Sequence, residues 1–173
     1  MSQQVPRARD VVSVDYHLFE LADGDDHVPF EDYAAPNGLV FSKPGCAIVL
    51  VGASSGDVNV EVEVRDRPPS GGPVTDGWDE VVDHSVTSLT GNMHVRALME
   101  DPPDLPVLTP AGPGSYRVRV HARGRDIAPD GVAEEPLEDY LLVVWPAPTQ
   151  PDTVHKQTDR FGADWRDQAS GTA

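Results

Sequence analysis

The stretch DVNVEVEVR, residues 57–65, gives the clearest structural signal in this sequence. Every second residue from position 58 to position 64 is valine, and polar or charged residues stand between the valines. This period of two is the pattern of a β-strand with one buried face. The run CAIVLVGA, residues 46–53, is apolar without alternation and is typical of a strand buried on both faces.

Further strand-like segments lie on both sides of this centre. The 17 prolines and 15 glycines of the chain separate them and interrupt helices throughout. Two of the segments, residues 80–87 and 93–98, flank the turn sequence SLTGN and predict a β-hairpin. The remaining segments are residues 11–21, 38–42, 115–124 and 139–145.

These segments predict an all-β protein with a single domain, residues 11–146. About eight strands at this spacing are typical of a two-sheet antiparallel β-sandwich, of jelly-roll or Greek-key type. Residues 147–173 are rich in Pro, Thr, Gln and Asp and predict a mobile, polar C-terminal tail. Within this tail, one short helix would place Phe161 and Trp165 next to each other, four residues apart.

The charge of the chain limits the partners that it can bind. Its 173 residues include 13 basic and 29 acidic side chains, which gives a formal net charge of −16. This balance argues against nonspecific binding to nucleic acid or to an anionic membrane, because both need a basic surface. The N-terminal sequence MSQQVPRARD lacks the apolar run of a secretory signal, and the single Cys46 excludes an internal disulfide. We therefore expect a cytoplasmic protein.

Sequence motifs of catalysis are missing. The chain has no GxxxxGK[ST], no GxGxxG, no HExxH and no GxSxG. Ser13, Asp15 and His17 share one side of the first predicted strand, but side chains that run parallel along a strand do not converge into a catalytic triad. Cys46 opens an apolar strand, where we expect a buried and unreactive thiol. The sequence therefore predicts a protein without catalytic activity and without a cofactor.

Two histidines, His84 and His94, lie on opposite arms of the predicted hairpin. If they faced each other across it, they would be close enough to share a divalent metal ion. A zinc site needs three or four protein ligands, and the sequence offers no third one. We therefore expect ordinary strand histidines and no metal site.

One basic stripe stands out on this acidic chain, along one face of the predicted strand 115–124. Its guanidinium groups suit planar phosphate or carboxylate ligands, so the stripe is a secondary candidate for a ligand-binding face. The alternative, which the negative net charge favours, is pairing with carboxylates such as Glu61, Glu63 or Asp139 on neighbouring strands. The stripe consists of Arg117, Arg119, His121 and Arg123, and Arg125 continues it.

Acidic residues are concentrated in two segments, residues 20–32 and residues 130–139. A solubilising surface is the usual explanation of such a concentration. The alternative is a decoy, in which carboxylates stand where a basic partner expects phosphates and nearby aromatic rings anchor the contact. The partner-binding residues that we predict from the first segment are Glu20, Asp23, Asp25, Asp26, Phe30, Glu31, Asp32 and Tyr33.

Four segments follow one another along residues 11–125: VSVDYHLFEL, PNGLVFSKPGCAIVLVGASSG, MHVRALM and PAGPGSYRVRV. In content and order they resemble the competence protein J (ComJ) family. The resemblance implies a small cytoplasmic inhibitor that binds a DNA-degrading nuclease and blocks it, and it assigns no contact residue. The matching positions are Tyr16, His17, Phe19, Gly38, Phe41, residues 48–51, Gly114 and Tyr116.

Three functions are therefore open. The leading one is a non-catalytic inhibitor or immunity-like protein that engages a basic protein partner such as a nuclease through its acidic loops. The second is a sandwich that binds a small molecule or a carbohydrate on the arginine-rich face, with or without catalysis. The third is a structural or assembly subunit that docks on a neighbour through the tail with Phe161 and Trp165.

Overall fold

The computed structural model describes residues 7–24, 34–98, 100–133 and 135–171. Within these residues the chain forms eleven strands and one helix, and no helix there is long and apolar enough to cross a membrane. The strands are β1 (Arg7–Asp15), β2 (Leu18–Asp23), β3 (Val40–Lys43), β4 (Cys46–Leu50), β5 (Ser55–Val64), β6 (Glu80–Ser88), β7 (Met93–Arg96), β8 (Gly114–Arg123), β9 (Val132–Ala133), β10 (Asp139–Pro146) and β11 (Thr153–Gln157). The helix is α1 (Arg160–Gly171).

These strands form one curled sheet in the order β11-β6-β8-β10-β5-β1-β2-β4-β3, with β7 beside β2 and β9 beside β5. β9 and β10 run parallel to β5, which makes the sheet mixed. The curl brings β3 to β6, where Ser42 Oγ lies 2.6 Å from His84 Nε2 and the N–H of Gly45 donates to the carbonyl of Thr87. The β-rich class is confirmed. The predicted pair of antiparallel sheets is wrong, because one mixed sheet curls around the main core.

The two segments with the clearest apolar patterns form strands where the sequence predicts them. In β5, the side chains of Val58, Val60 and Val62 are buried inside the curl, and the residues between them are partly exposed. In β4, both faces are buried, as expected from its unbroken apolar run. One face of β4 belongs to the core inside the curl, and the other belongs to a second apolar cluster under α1.

The predicted strand at residues 11–21 is in fact two strands joined by a tight turn. β1 ends at Asp15 and β2 begins at Leu18, so that only Tyr16 and His17 lie between them. Both have positive φ angles, 55° and 63°, as a type I′ hairpin turn requires. Such turns usually contain asparagine or glycine. Because neither is present, no residue type in the sequence indicates the turn, and the strand-like pattern continues through it.

The predicted hairpin of residues 80–87 and 93–98 does not form. β6 pairs with β8 and β11, whereas β7 pairs with β2. The connection between β6 and β7 is held by Asp23 of β2, whose carboxylate accepts hydrogen bonds of 2.6 Å from the hydroxyl of Ser88 and from the N–H of Leu89. This buried carboxylate anchors the connection to β2 and directs β7 away from β6.

The C-terminal segment pairs with the sheet and packs against it, so its predicted mobility is wrong, whereas the short helix predicted within it is present as α1. β11 pairs with β6, and α1 covers the outer face of β2, β3 and β4. Phe161 and Trp165 of α1 pack against the apolar cluster on that face. Because both rings are partly buried in this packing, the structure weighs against a free tail that reaches out to dock on a neighbour.

A buried ion cluster lies under α1. The side chain of Arg125, in the loop after β8, is wholly enclosed and donates to both carboxylate oxygens of Asp159 at 2.7 and 2.9 Å. It also donates to the carbonyl oxygen of Gly38 and lies 3.6 Å from the carboxylate of Glu80 in β6. Arg166 of α1 donates to Glu80 at 3.0 Å. Two guanidinium groups therefore face two carboxylates where α1, β6 and the approach to β3 meet.

The charges in this cluster depend on one another. Burial raises the pKa of Glu80 and the charge of Asp159 raises it further, while backbone N–H groups and Arg125 act in the opposite direction. Burial by itself lowers the pKa of Arg125, but the hydrogen bonds and charge of Asp159 outweigh it, and the guanidinium stays charged. Asp159 also accepts a hydrogen bond from the N–H of Gly162 in the first turn of α1. The cluster therefore joins the start of the helix to the sheet.

Replacing Arg125 with methionine is expected to destabilise the protein by about 3–5 kcal/mol, because the carboxylates of Glu80 and Asp159 lose their shared buried cation. Urea unfolding followed by tryptophan fluorescence measures this loss. Arg67→Met is the matched control, since Arg67 is exposed and pairs with its neighbour Asp66; it should change the free energy of unfolding by less than about 0.5 kcal/mol. A loss below about 1 kcal/mol for Arg125→Met would show that the cluster is dispensable.

Candidate partner-binding surface

Only two of the eight predicted partner-binding residues fall within the described part of the chain. Glu20 and Asp23 belong to β2 and not to a loop, and their side chains are 1% and 9% exposed. Glu20 accepts a hydrogen bond of 2.7 Å from Arg96 in β7, and Asp23 anchors the connection after β6. Both carboxylates hold the fold together. The predicted residues outside the described ranges are Asp25, Asp26, Phe30, Glu31, Asp32 and Tyr33.

The second acidic segment, residues 130–139, contains carboxylates of two kinds. Glu138 is buried and accepts hydrogen bonds from the backbone N–H groups of Gly52 and Ala53, at 2.8 and 2.7 Å. Asp130, in contrast, has 83% of its side chain exposed. The same stretch of sequence therefore supplies one structural carboxylate and one that faces solvent.

The arginine-rich stripe on β8 is paired within the protein. Arg117 is 2% exposed and donates to the hydroxyls of Ser85 and Thr153 and to two backbone carbonyls. Arg119 forms a bidentate pair with Asp83 of β6, at 2.7 and 3.1 Å. Neither guanidinium points at an open ligand site.

The other half of the stripe is equally engaged. Arg123 donates to Asp139 at 2.8 Å, and its guanidinium carbon lies 4.5 Å from the centre of the Trp78 ring. His121 is buried, which lowers its pKa, and its Nδ1 lies 3.0 Å from the carbonyl oxygen of Leu141. These contacts support internal pairing and weigh against a small-molecule or carbohydrate site on this face.

The carboxylates that pair with the stripe were predicted only in part. Asp139 is a partner of Arg123, as expected. Burial by itself raises the pKa of Asp139, but hydrogen bonds from Asn59 and Arg123 lower it by more, so that the pKa lies below its usual value. Glu63, however, pairs with Arg7 and Arg65. Glu61 also pairs with Arg7 of the neighbouring strand β1, whereas β10 lies between β5 and the arginines of β8. The partner of Arg119, Asp83, was missed because the predicted hairpin hid the β6–β8 pairing.

The two histidines considered as a pair across the predicted hairpin do not face each other. His84 lies in β6, with Nδ1 2.7 Å from Asp152 and Nε2 2.6 Å from the hydroxyl of Ser42. His94 lies in β7, with Nδ1 3.1 Å from the carbonyl oxygen of Asn92. Among the described residues, no group of three or more His, Cys, Asp or Glu side chains is arranged to hold a metal ion.

An open cleft of about 250 Å³ lies between the β1–β2 turn, the loop after β8 and helix α1. His17 forms part of its wall. Because β1 ends at Asp15, His17 lies in the turn and does not share a strand with Ser13 and Asp15 as predicted. Nδ1 of His17 is 3.1 Å from the carbonyl oxygen of Gly52, and Nε2 is 3.1 Å from Oδ1 of Asp130. The cleft is lined by His17, Asp126, Pro129, Asp130, Arg160, Phe161, Asp164, Trp165 and Gln168.

The walls of this cleft are aromatic and acidic. The rings of His17 and Phe161 are stacked with their centres 6.0 Å apart and their planes 28° from parallel. The Asp126 carboxylate accepts hydrogen bonds from the N–H groups of Arg160 and Phe161 and so holds the start of α1. Asp164 is exposed on the next turn of the helix. No pattern in the sequence indicates this cleft, because its residues come from three segments that only the folded chain brings together.

Comparison with solved structures identifies the class of fold: two known structures share this curled, β-rich architecture. The crystal structure of ComJ, inhibitor of the DNA-degrading activity of NucA, from Bacillus subtilis, aligns with a TM-score of 0.56, at 12% identity over 84% of this chain and 100% of ComJ. A protein described as crocagin biosynthetic gene J aligns with a TM-score of 0.51, at 15% identity over 84% of this chain and 100% of its own. At these identities the likeness establishes the fold, and the resemblance to ComJ is confirmed at that level. No protein-family model matches the sequence, and no curated protein is significantly similar to it.

Cys46, the single thiol, is expected to be unreactive in the folded protein. Burial raises its pKa to about 12, and the neighbouring Glu20 carboxylate contributes. At pH 8, a disulfide reagent such as Ellman's reagent should modify the native protein far more slowly than a small free thiol, because almost no thiolate is present and the sulfur is enclosed. In urea, one thiol per chain should react at once. Rapid modification of the native protein would contradict the buried position of Cys46.

Proposed function

We propose that this protein is a non-catalytic inhibitor, of the immunity-protein kind, that acts in the cytoplasm by binding a basic protein partner such as a nuclease. The observation that carries the proposal is the shared fold with ComJ, which inhibits the DNA-degrading activity of NucA. The fold by itself leaves the partner open, so the charge of the chain and its distribution supply the second argument.

The negative charge of the chain is available to a partner. Eight of the arginines form ion pairs with carboxylates of the same chain within the described residues. With 29 acidic side chains against 13 basic ones, most carboxylates cannot find a cation inside the molecule. An active site that binds DNA phosphates carries positive potential, and a surface rich in carboxylates is attracted to it for the same reason as the substrate.

A direct test uses the immobilised protein to retain basic proteins from native cytosol at low salt. A rising salt gradient releases them, and each fraction is assayed for DNA degradation with and without added free protein. We expect a DNA-degrading activity that elutes with salt and is suppressed by the added protein. If no retained activity is suppressed, the proposed inhibition is wrong.

The acidic segment after β2 is expected to accelerate binding to that nuclease. The variant with Asp25→Asn, Asp26→Asn and Asp32→Asn should lower the association rate constant about tenfold at low salt, because electrostatic attraction sets this rate. The difference should shrink as salt is raised, since added ions screen the charges. Surface plasmon resonance at several salt concentrations measures both effects.

The matched control removes three exposed carboxylates elsewhere, with Asp66→Asn, Asp76→Asn and Asp101→Asn. It carries the same change in net charge, so a purely global attraction would slow both variants equally. A larger effect of the first variant locates the steering charge after β2. Equal rates in the two variants would remove this segment from the mechanism.

A further inference from the structure

We propose that the cleft between the β1–β2 turn and α1 binds an arginine side chain of the basic partner. This inference rests on the proposed function and deepens it, because it identifies where one anchor of the partner is held. Four features of the cleft carry it: its size, two facing acceptor atoms, its aromatic walls and its charge.

The two facing acceptor atoms belong to His17 and Asp130. The Nδ1 of His17 lies 3.1 and 3.3 Å from the carbonyl oxygens of Gly52 and Val51, and carbonyl oxygens only accept hydrogen bonds. Nδ1 therefore carries the hydrogen, and in the neutral ring Nε2 presents a lone pair. Asp130 Oδ1, which is also an acceptor, lies only 3.1 Å from His17 Nε2. Two acceptors this close repel each other unless a donor hydrogen satisfies them. A proton added to Nε2 would do so, and so would a cationic group that donates hydrogen bonds to both atoms.

A guanidinium group fits these acceptors better than other cationic groups. It offers five N–H donors in a planar fork, so that it can donate to an imidazole nitrogen and a carboxylate at the same time. An ammonium group is a more compact point charge that stays more strongly hydrated. The paired acceptors therefore favour arginine over lysine.

The walls and charge of the cleft favour the same ligand. Phe161 and Trp165 line it, and aromatic faces attract guanidinium groups by cation–π and stacking contacts. The Phe161 ring already contacts the Arg125 guanidinium, whose carbon lies 5.0 Å from its centre, and stacks on His17, so Trp165 is the ring that we expect to meet the ligand. Three carboxylates, of Asp126, Asp130 and Asp164, face one guanidinium, that of Arg160. Counted over these four charged groups, the lining is net negative. A volume of about 250 Å³ is enough for one arginine side chain.

Exposed apolar side chains lie close in the chain to residues that line the cleft, and we take them as its rim. Tyr16 of the turn is 75% exposed and Ile127 of the loop after β8 is 63% exposed. Val132, 71% exposed, follows Asp130 by two residues and pairs through β9 with Ser55. Ser55 also pairs with Asp15, next to Tyr16, so that only β5 lies between the turn and β9. A partner that inserts an arginine would cover this rim.

Titration with the peptides tri-arginine and tri-lysine, followed by two-dimensional ¹H–¹⁵N NMR, tests the assignment without any nuclease. Tri-arginine should shift the Trp165 indole signal and the amides of residues 126–131 and 160–168, with at least fivefold tighter binding than tri-lysine. The variant Asp130→Asn with Asp164→Asn changes only exposed side chains and should weaken tri-arginine binding at least fivefold. The control, Asp66→Asn with Asp76→Asn, should bind as the wild type does.

Several results would overturn the proposal. Equal binding of the two peptides would show attraction by charge alone, and equal weakening in both variants would show that the cleft is not the site. Shifts spread over the whole acidic surface would have the same meaning. If the peptide experiment fails but nuclease inhibition is observed, the anchor lies elsewhere and the proposed function stands. If the peptide binds in the cleft and no nuclease is inhibited, the cleft stands and the proposed function is wrong.

Discussion

One enclosed cation determines where the C-terminal part of this molecule lies. The guanidinium of Arg125 joins Asp159 at the start of α1 to the backbone at Gly38, and it lies beside Glu80 of β6. These segments are far apart in the sequence, and each provides an acceptor to the same side chain. The position of α1, and with it the outer apolar cluster and one wall of the cleft, depends on this arrangement. An unpaired carboxylate left in this interior would be costly, which makes the cluster a constraint on the whole fold.

The strands could be predicted from the sequence where hydrophobic periodicity is local, and the topology could not. The alternation of Val58 to Val64 identifies β5 because every second side chain of a strand points to the same face, here the buried one. The turn at Tyr16 and His17 escaped, because its left-handed conformation is imposed by pairing and is not marked by glycine or asparagine. The separation of β6 from β7 escaped as well. It depends on Asp23, whose hydrogen-bond partners are more than 60 residues away.

The candidate site shows the same limit for charged residues. The sequence indicated correctly that the arginines of β8 are paired internally, because an acidic chain supplies carboxylates in excess. It could not distinguish a carboxylate used by the fold, such as Glu20 or Glu138, from an exposed one, such as Asp130. That distinction is set by tertiary burial. The cleft beside His17 lay beyond sequence reasoning, since the geometry of its acceptors exists only in the folded chain.

The parallel pairing of β5 with β10 has a consequence for folding during synthesis on the ribosome. Asn59 lies opposite Asp139, about 80 residues further along the chain, so the central strand leaves the exit tunnel long before its neighbour is made. Until then β5 can pair along one edge only, with β1, and Arg125 still lacks Asp159. Nascent chains should therefore expose an unpaired edge of β5 until β10 has been made, a state that favours aggregation. Mutual repulsion among the many carboxylates then helps to keep these unfinished chains apart.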